Sequence, residues 1–460
     1  MPRRPLRQRA DLLLLLPPGV LALLGSALLL RSRSLWYDEL FTAQVAPLPL
    51  RRIAAAVLSG EGTEPYLQDV PPSYNAPYYV LVHGWLALLR QGPDELSLRS
   101  LSLLASVLAV GVLGLAVSGL AGRAAGVAAG LLAATNPLVL EYAVEARGYG
   151  LAMLATAVTA LGLVRWLDSG RLLLYAAGAT AAGLAHWFAL PVVAGLATSA
   201  LLLRRRTALP LLGVTALAVL PALGLVALAL SVDPGRTTTG WIDDTGGAVP
   251  WLSLQAWAST SPGLLVGTLL AAALAVRTRS RAAVVGASWV VVPLVLVTLA
   301  ELVRPVFVPR YMLVSLLGLA VLAGVGLAGR WRGVGVAALV GLSLFASAPL
   351  ATAPPRDDAE GAVLALARDH VPGQPVVAVD RRAALALEQY APRSLRADLR
   401  LPPDDAPPAE VVWLLRHKSY EAPLAPSDDD AQLRAAGLRM VEERAFDGSS
   451  VQMVVQRWTR

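Results

Sequence analysis

The sequence contains no cysteine, so neither a disulfide framework nor thiolate chemistry is available to it. Histidine is scarce as well. The chain has four, and none forms the His-x-x-x-His spacing of a helical zinc site. We therefore predict no metal centre and no tightly held cofactor, with a divalent cation left as an open alternative.

Charge is the second scarce property. Only 15% of residues are charged, 56% are hydrophobic, and the mean hydropathy is +0.58, which a soluble protein of this size does not tolerate. Repeated runs of Leu, Ala, Val and Gly, each about the ~20 residues that cross a bilayer as a helix, predict a polytopic helical protein surrounded by membrane lipids. Much of the net charge of +7 lies in short loops, where it sets orientation and does not indicate a nucleic-acid partner.

Basic residues between the apolar runs predict the topology. The clusters lie at Arg3 to Arg9, Arg123, Arg165 to Arg171, Arg204 to Arg206, Arg277 to Arg281 and Arg330 to Arg332. Read as cytoplasmic turns, they predict about 11 transmembrane helices and a cytoplasmic N-terminus in the plasma (inner) membrane. The first run, Asp11 to Leu30, has no small-residue cleavage site after it, so it is read as a retained anchor.

The predicted domains follow from this threading. Residues 1–353 form the transmembrane domain, with an outer catalytic loop at 31–98 and a second outer loop at 232–261. Ala76 to Arg90 would span only ~22 Å as a helix and carries interfacial aromatic residues, so it is predicted to lie beside the membrane on the outer side. Residues 354–460 alternate helix-like and strand-like segments and predict a small extracytoplasmic soluble α/β domain with a structural or acceptor-positioning role.

The stretch "SLWYDELFTAQVAP" places two carboxylates, Asp38 and Glu39, directly after the first apolar run. Trp36 and Tyr37 reduce hydration beside Asp38 and favour a general-base role for it. A structural alternative is open for both residues: Asp38 as the cap of the following helix, and Glu39 as an acid in its first turn.

Several arginines lie at the predicted outer ends of the helices, whereas positive charge is usually concentrated in the cytoplasmic loops of membrane proteins. Arg147, Arg304 and Arg310 are predicted to bind an anionic group, for which a phosphate is the natural partner. The alternative for Arg147 is pairing with Glu145. For Arg99, another outer arginine, the alternative is pairing with Glu95 or Asp94. The turn "VPPSYNAPYY" adds Tyr74 and Asn75, which suit either sugar binding or interfacial anchoring.

The order of five segments resembles the GT-C superfamily of membrane glycosyltransferases, in particular bacterial relatives of protein O-mannosyltransferases and aminoarabinose transferases. The segments are "LWYDEL", "PPSYNAPYYVLVHGWL", "DELSLRSLSLLASVLAV", "NPLVLEYAVEARGYGLAMLA" and "FVPRYMLVSLLGLAVLAG". The resemblance covers roughly residues 10–350. The family's usual "hPPLYY" turn departs here to "VPPSYNAPYY", which leaves the role of this turn open.

The resemblance implies a cell-envelope enzyme that transfers a hexose or pentose, as mannosyl- and arabinosyltransferases do, from a polyprenyl-phosphate donor to a glycan, lipid or protein. Asp38 matches the family's catalytic base, with Glu39 beside it. Arg147 and Arg310, with Arg99, would hold the donor phosphate. Glu145, Tyr74, Asn75 and Tyr149 would bind the substrate.

A transporter or flippase for a lipid-linked or anionic solute is the alternative from a different functional class. It too would need arginines and carboxylates, but the predicted helix centres are almost free of charge.

Overall fold

A computed structural model describes residues 12–31, 34–68, 70, 72–232, 242–327, 332–402, 409–420 and 427–460. Within these ranges, the side chains of Tyr74 and Arg332 are not described. The substrate-binding role predicted for Tyr74 and the basic N-terminal segment Arg3 to Arg9 therefore lie outside the described residues.

Helices account for most of the described chain. Up to residue 143 they are α1 Leu16–Leu29, α2 Tyr37–Val45, α3 Leu50–Ser59, α4 Ala76–Leu89, α5 Glu95–Ala121, α6 Arg123–Thr135 and α7 Pro137–Ala143. From there to residue 347 they are α8 Tyr149–Ser169, α9 Leu173–Ala185, α10 Leu190–Arg204, α11 Leu209–Val232, α12 Val249–Ala258, α13 Pro262–Arg277, α14 Arg281–Glu301, α15 Leu313–Gly326 and α16 Arg332–Ser347. The C-terminal helices are α17 Ala359–Asp369, α18 Arg381–Tyr390, α19 Arg393–Arg396 and α20 Asp428–Ala435.

The described residues include eight helices long and apolar enough to cross a membrane, or up to ten if each of two bent pairs is one span. The short apolar helix α9 coincides with a further run that the sequence counts as a crossing. The predicted fold class, a polytopic helical membrane protein with a small C-terminal α/β domain, is confirmed. The predicted number of about 11 helices lies just above the upper value. Helix α4 has 14 apolar-rich residues, and its place beside the membrane stays a prediction.

One predicted span is broken. Residues 124–142 read as a single apolar run, but α6 and α7 meet at 66° around Asn136. Pro137 cannot donate a backbone hydrogen bond, and the Asn136 side chain caps α7 by accepting from the N–H groups of Leu138 and Val139. After α7, the chain makes a non-helical turn before α8 begins at Tyr149.

Contacts divide the chain into two compact units. The helical unit contains the described residues of Met1–Leu30, Ser100–Leu230 and Thr238–Ala351. The mixed unit contains those of Arg31–Arg99, Ser231–Thr237 and Thr352–Arg460. The predicted first outer loop and the predicted C-terminal domain therefore share one unit, while their exact boundaries stay predictions.

The core of the helical unit is built from Leu, Val and many Ala side chains. Small residues allow neighbouring helices to approach closely, as expected where lipid removes the hydrophobic drive between helices. At Gly162 of α8, a Cβ atom would lie 2.3 Å from the backbone nitrogen of Tyr175 in α9. A larger residue at that position would force the two helices apart.

The mixed unit contains one five-stranded sheet. Its strands are β1 Val376–Ala378, β2 Leu399–Arg400, β3 Val411–Ser419, β4 Arg439–Asp447 and β5 Val451–Thr459. They lie in the order β2-β1-β3-β5-β4, with β1 parallel to β2 and β3, and β5 antiparallel to β3 and β4. Val377, Leu414 and Trp458 contribute to the buried core of this sheet.

Candidate active site

Helix α2 carries the two candidate carboxylates in its first turn. Its N-cap is Trp36, so the alternative in which Asp38 caps the helix is wrong. Asp38 is half-buried, and Glu39 is the buried third residue, whose carboxylate accepts a 3.4 Å hydrogen bond from the Trp36 N–H. The first-turn position of Glu39 is confirmed, and it is favourable because negative charge is stabilised at a helix N-terminus.

Glu39 forms an ion pair with Arg99. The Arg99 Nε donates to Oε1 at 2.7 Å and its Nη2 donates to Oε2 at 2.5 Å, while the Glu39 side chain is only 1% exposed. Nη2 also lies 3.3 Å from the Ser34 carbonyl oxygen. The expected pairing of Arg99 with Glu95 or Asp94 is corrected, because Glu95 accepts from Tyr390 and Asp94 accepts from Ser97.

Asp357 is a buried carboxylate near Asp38 that sequence reasoning missed. Its Oδ2 accepts a 3.0 Å hydrogen bond from the Tyr37 N–H and a 2.8 Å hydrogen bond from Arg382. Burial raises the pKa of Asp357, Arg382 opposes this, and the charge of Asp38 raises it further. The sequence "PPRDDAE" offered no signal that distinguishes Asp357 from Asp358.

Helix α4, which follows the turn that contains Asn75, packs against α2. Asn75 is buried, and the Tyr79 ring lies 5.9 Å from the Phe41 ring between centroids. The His83 Nδ1 atom is 3.0 Å from the carbonyl oxygen of Ala46 at the end of α2. Helix α4 therefore supports the helix that carries Asp38, while the sugar-binding role of Asn75 stays a prediction.

In the helical unit, the turn between α7 and α8 holds Glu145 and Arg147. Both side chains are buried, and the Ser102 hydroxyl donates to the Arg147 carbonyl oxygen at 3.1 Å. The next helix begins so close to α5 that a Cβ atom at Gly150 would lie 2.4 Å from the Ser102 carbonyl oxygen. The glycine therefore allows the turn that carries Glu145 and Arg147 to pack closely against α5.

Five aromatic rings line up next to this turn. Centroid distances are 4.9 Å from Tyr142 to Tyr149, 5.1 Å from Tyr149 to His186, 5.3 Å from His186 to Tyr311, and 4.6 Å from Tyr311 to Phe188. We call them the aromatic row. The planes of neighbouring rings are tilted by 31–65°. A largely apolar row of this kind suits the packing of a sugar ring or an isoprenoid chain.

Two arginines bring positive charge to the aromatic row. The Arg310 guanidinium lies 5.5 Å from the centre of the Tyr311 ring. His186, in the connection after α9, accepts a 3.2 Å hydrogen bond from the Phe188 N–H through Nδ1. Burial, together with the charges of Arg147 and Arg310, lowers the pKa of His186 to about 3, so the ring is neutral near neutral pH. Predicted residues Glu145, Arg147, Tyr149 and Arg310 thus belong to one neighbourhood of the helical unit.

Glu301 is a second carboxylate that sequence reasoning missed. It is the last residue of α14, is 3% exposed, and accepts hydrogen bonds from the N–H groups of Val306, Phe307 and Thr245 and from the Thr245 hydroxyl. These bonds fix the segment that leads to Arg310. An acid at the end of an apolar run was the available signal.

No three His, Cys, Asp or Glu side chains come together as a possible metal site within the part of the chain that the structure describes. The open alternative of a divalent cation therefore has no preformed cluster of such side chains among these residues.

Fold and composition together define a multi-pass helical membrane protein with a small C-terminal sheet domain. No protein-family model matches the sequence, and a search of curated proteins finds no match. Among solved structures, the chain is similar to ArnT from Cupriavidus metallidurans in the apo state, with 16% identity, a TM-score of 0.56, and coverage of 96% of this chain and 97% of that chain.

A structure of the same ArnT bound to undecaprenyl phosphate is also similar. It has 14% identity, a TM-score of 0.56, and coverage of 97% of this chain and 98% of that one. The fold expected from the resemblance is therefore confirmed, and the likeness extends over nearly the whole chain.

Proposed function

We propose that the protein transfers a sugar from a polyprenyl-phosphate donor to an acceptor hydroxyl on the outer face of the plasma membrane. The observation that carries this proposal is the fold shared along nearly the full chain with ArnT, one structure of which holds undecaprenyl phosphate. The candidate residues supply the chemical groups that such a reaction needs.

In the proposed reaction, the Asp38 carboxylate accepts the proton of the acceptor hydroxyl while that oxygen attacks the anomeric carbon. A new bond forms between the carbon and the acceptor oxygen. The bond between the carbon and the phosphate oxygen breaks, and its electron pair leaves with the phosphate. Attack opposite the leaving group inverts the anomeric configuration.

Arg147 and Arg310 are proposed to stabilise the phosphate as its negative charge develops. Arginine suits this role because its planar guanidinium matches the geometry of phosphate oxygens and keeps its charge at all relevant pH values. Fixed positive groups in a site shielded from water can lower a barrier by several kcal/mol. The aromatic row, which includes Tyr149, would contact the sugar or the first isoprene units, with Glu145 orienting Arg147 or binding sugar hydroxyls.

Of the two neighbouring carboxylates, Asp38 is the better candidate for the base. Glu39 holds Arg99 through two short hydrogen bonds and is 1% exposed, so its charge is already engaged. The pair supports an anchoring role for Glu39 and Arg99. The direct phosphate contact predicted for Arg99 stays a prediction.

The proposal is tested by reconstituting the purified protein with undecaprenyl-phosphate pentose and undecaprenyl-phosphate hexose donors carrying a radiolabelled sugar. Lipid, glycan and peptide acceptors are offered separately. We expect acceptor-dependent release of undecaprenyl phosphate together with label in the acceptor, for one sugar class. Movement of the intact donor across vesicles without cleavage of its phosphate bond would instead support the flippase alternative.

A further inference from the structure

The four residues that precede Asp38 are held by the C-terminal part of the mixed unit. The Leu35 N–H donates to the Tyr390 hydroxyl at 2.7 Å, and the Tyr37 N–H donates to Asp357 at 3.0 Å. In the opposite direction, the Glu360 N–H donates to the Ser34 hydroxyl at 3.0 Å. Backbone or side-chain groups of Ser34, Leu35 and Tyr37 are thus tied to residues more than 300 positions away in sequence.

Cations of the same C-terminal part cover the two aromatic side chains of this stretch. The Arg356 guanidinium lies 4.5 Å from the centre of the Trp36 ring, and that of Arg382 lies 4.9 Å from the centre of the Tyr37 ring. Contacts of this kind are attractive because the ring face is negative. These two contacts hold in place the rings of Trp36 and Tyr37, which directly precede Asp38.

Asp357 combines the features that fix the start of α2. It is 0% exposed, it accepts from the first N–H of the helix, and Arg382 supplies the compensating positive charge at 2.8 Å. The first N–H groups of a helix have no hydrogen-bond partner inside the helix, so an external carboxylate can accept from one of them. Its negative charge is also stabilised by the positive end of the helix dipole. Asp38 is the next residue along the chain.

We propose that Asp357, with Arg382 and Tyr390, forms a clamp that positions the Asp38 carboxylate, so that the C-terminal domain is part of the catalytic apparatus. The inference rests on the proposed role of Asp38. Asp357 acts through the backbone of α2 and does not touch the substrate, so it is a positioning residue. Its loss should lower turnover and leave the affinity for the donor nearly unchanged.

Two measurements on the full-length protein test this clamp. The first is hydrogen exchange of the peptide covering residues 34–41, which reports the clamp without any assay of activity. In Asp357→Ala and in Tyr390→Phe, each of which removes the acceptor of one backbone N–H, we expect exchange in this peptide to rise about tenfold, the effect of losing one hydrogen bond. Unchanged exchange in both variants would overturn the clamp.

The second measurement is steady-state transfer with the undecaprenyl-phosphate sugar that the wild type uses. Asp357→Asn should reduce kcat about tenfold with a donor KM within about twofold of wild type, because the base is misplaced while donor binding persists. Asp357→Ala should be slower than Asp357→Asn, because asparagine keeps an oxygen that can accept from the Tyr37 N–H. A kcat per folded molecule equal to wild type, despite faster exchange, would overturn the positioning role.

Asp430→Asn is the matched control. Asp430 is also a buried aspartate of the C-terminal part, paired with Arg416 at 2.9 Å, and it belongs to α20. This variant makes the same chemical change and should leave both exchange at residues 34–41 and kcat at wild-type values. Equal losses in Asp430→Asn and Asp357→Asn would overturn the proposal in favour of general destabilisation. If the wild type transfers no sugar but exchange responds as expected, the proposed function fails and the clamp stands.

Discussion

The Arg99 guanidinium donates two hydrogen bonds to the Glu39 carboxylate, 2.7 Å from Nε to Oε1 and 2.5 Å from Nη2 to Oε2. They connect the start of α5 to the first turn of α2. The same helical turn presents Asp38. A buried pair with this geometry contributes little net stability compared with an apolar pair, but breaking it leaves one charge buried without compensation. Its main effect is therefore to fix the position of α2.

Removing either partner alone should be more harmful than removing both. Arg99→Gln or Glu39→Gln should destabilise the protein by about 3–5 kcal/mol, since the remaining charge stays buried. The double variant should lose less than the sum of the two single losses. Unfolding midpoints in detergent measure this coupling, and strict additivity would contradict the pair's role as a unit.

Loss of the proposed phosphate-binding arginines should weaken donor binding and slow transfer. For Arg147→Gln and Arg310→Gln, we expect kcat/KM to fall roughly 10²–10³-fold, because each removes a fixed positive charge from the developing phosphate. Arg206→Gln, which removes an exposed arginine, is the control and should behave as wild type. Full activity in both test variants would exclude these two residues from the phosphate site.

Glu301 should matter for donor binding through Arg310. Glu301→Gln replaces one carboxylate oxygen by an NH₂ group, which faces backbone N–H donors at 2.7–3.1 Å and cannot accept from them. We expect a loss of about 1–3 kcal/mol in stability and a higher donor KM. A donor KM equal to that of wild type, with lowered stability, would restrict Glu301 to a purely structural role.

Acid should loosen the C-terminal sheet domain through Asp380. Burial raises the pKa of this group, but the hydrogen bonds and charge of His417 and the hydrogen bond from the Ala383 N–H lower it more. The pKa of Asp380 therefore lies below its ordinary value of 3.8. A carboxylate with a depressed pKa contributes stability above its ordinary pKa, and this contribution disappears as the pH falls through the folded-state value.

Hydrogen exchange in α18 checks this sign. At neutral pH, Asp380→Asn should exchange faster than wild type over residues 381–390, because it loses the ionised cap. The difference should begin to shrink below about pH 3.8 and vanish only when the pH falls below the lowered folded-state pKa, where Asp380 is protonated in the wild type. A difference that grows with acid would contradict the assignment.

Much of the helical architecture could be predicted because lipid imposes a simple rule on long apolar runs. The break between α6 and α7 was missed, although Asn136 and Pro137 carried the signal, because hydropathy averaged over the run conceals a single cap. Strand β4, Arg439–Asp447, was also missed. It is an edge strand with mostly exposed residues, so it lacks the alternation of apolar and polar positions that marks a half-buried strand.

The candidate residues were predictable by type but not by partner. Glu39 and Arg99 were each selected as isolated charges, and their pairing depends on a tertiary contact across 60 positions of sequence. Asp357 could not be found at all, because its importance comes from folding back onto Tyr37. Charge, burial and order along the chain indicate where chemistry is possible, whereas the fold decides which charges meet.

The most direct test of the proposed function is sugar transfer by Asp38→Asn. The variant keeps the size of the side chain but removes the base, so transfer should fall about 10²–10⁴-fold while undecaprenyl-phosphate binding persists. Glu61→Gln, which removes an exposed carboxylate from the same predicted outer loop, should retain wild-type transfer. Transfer by Asp38→Asn at the wild-type rate would contradict the account.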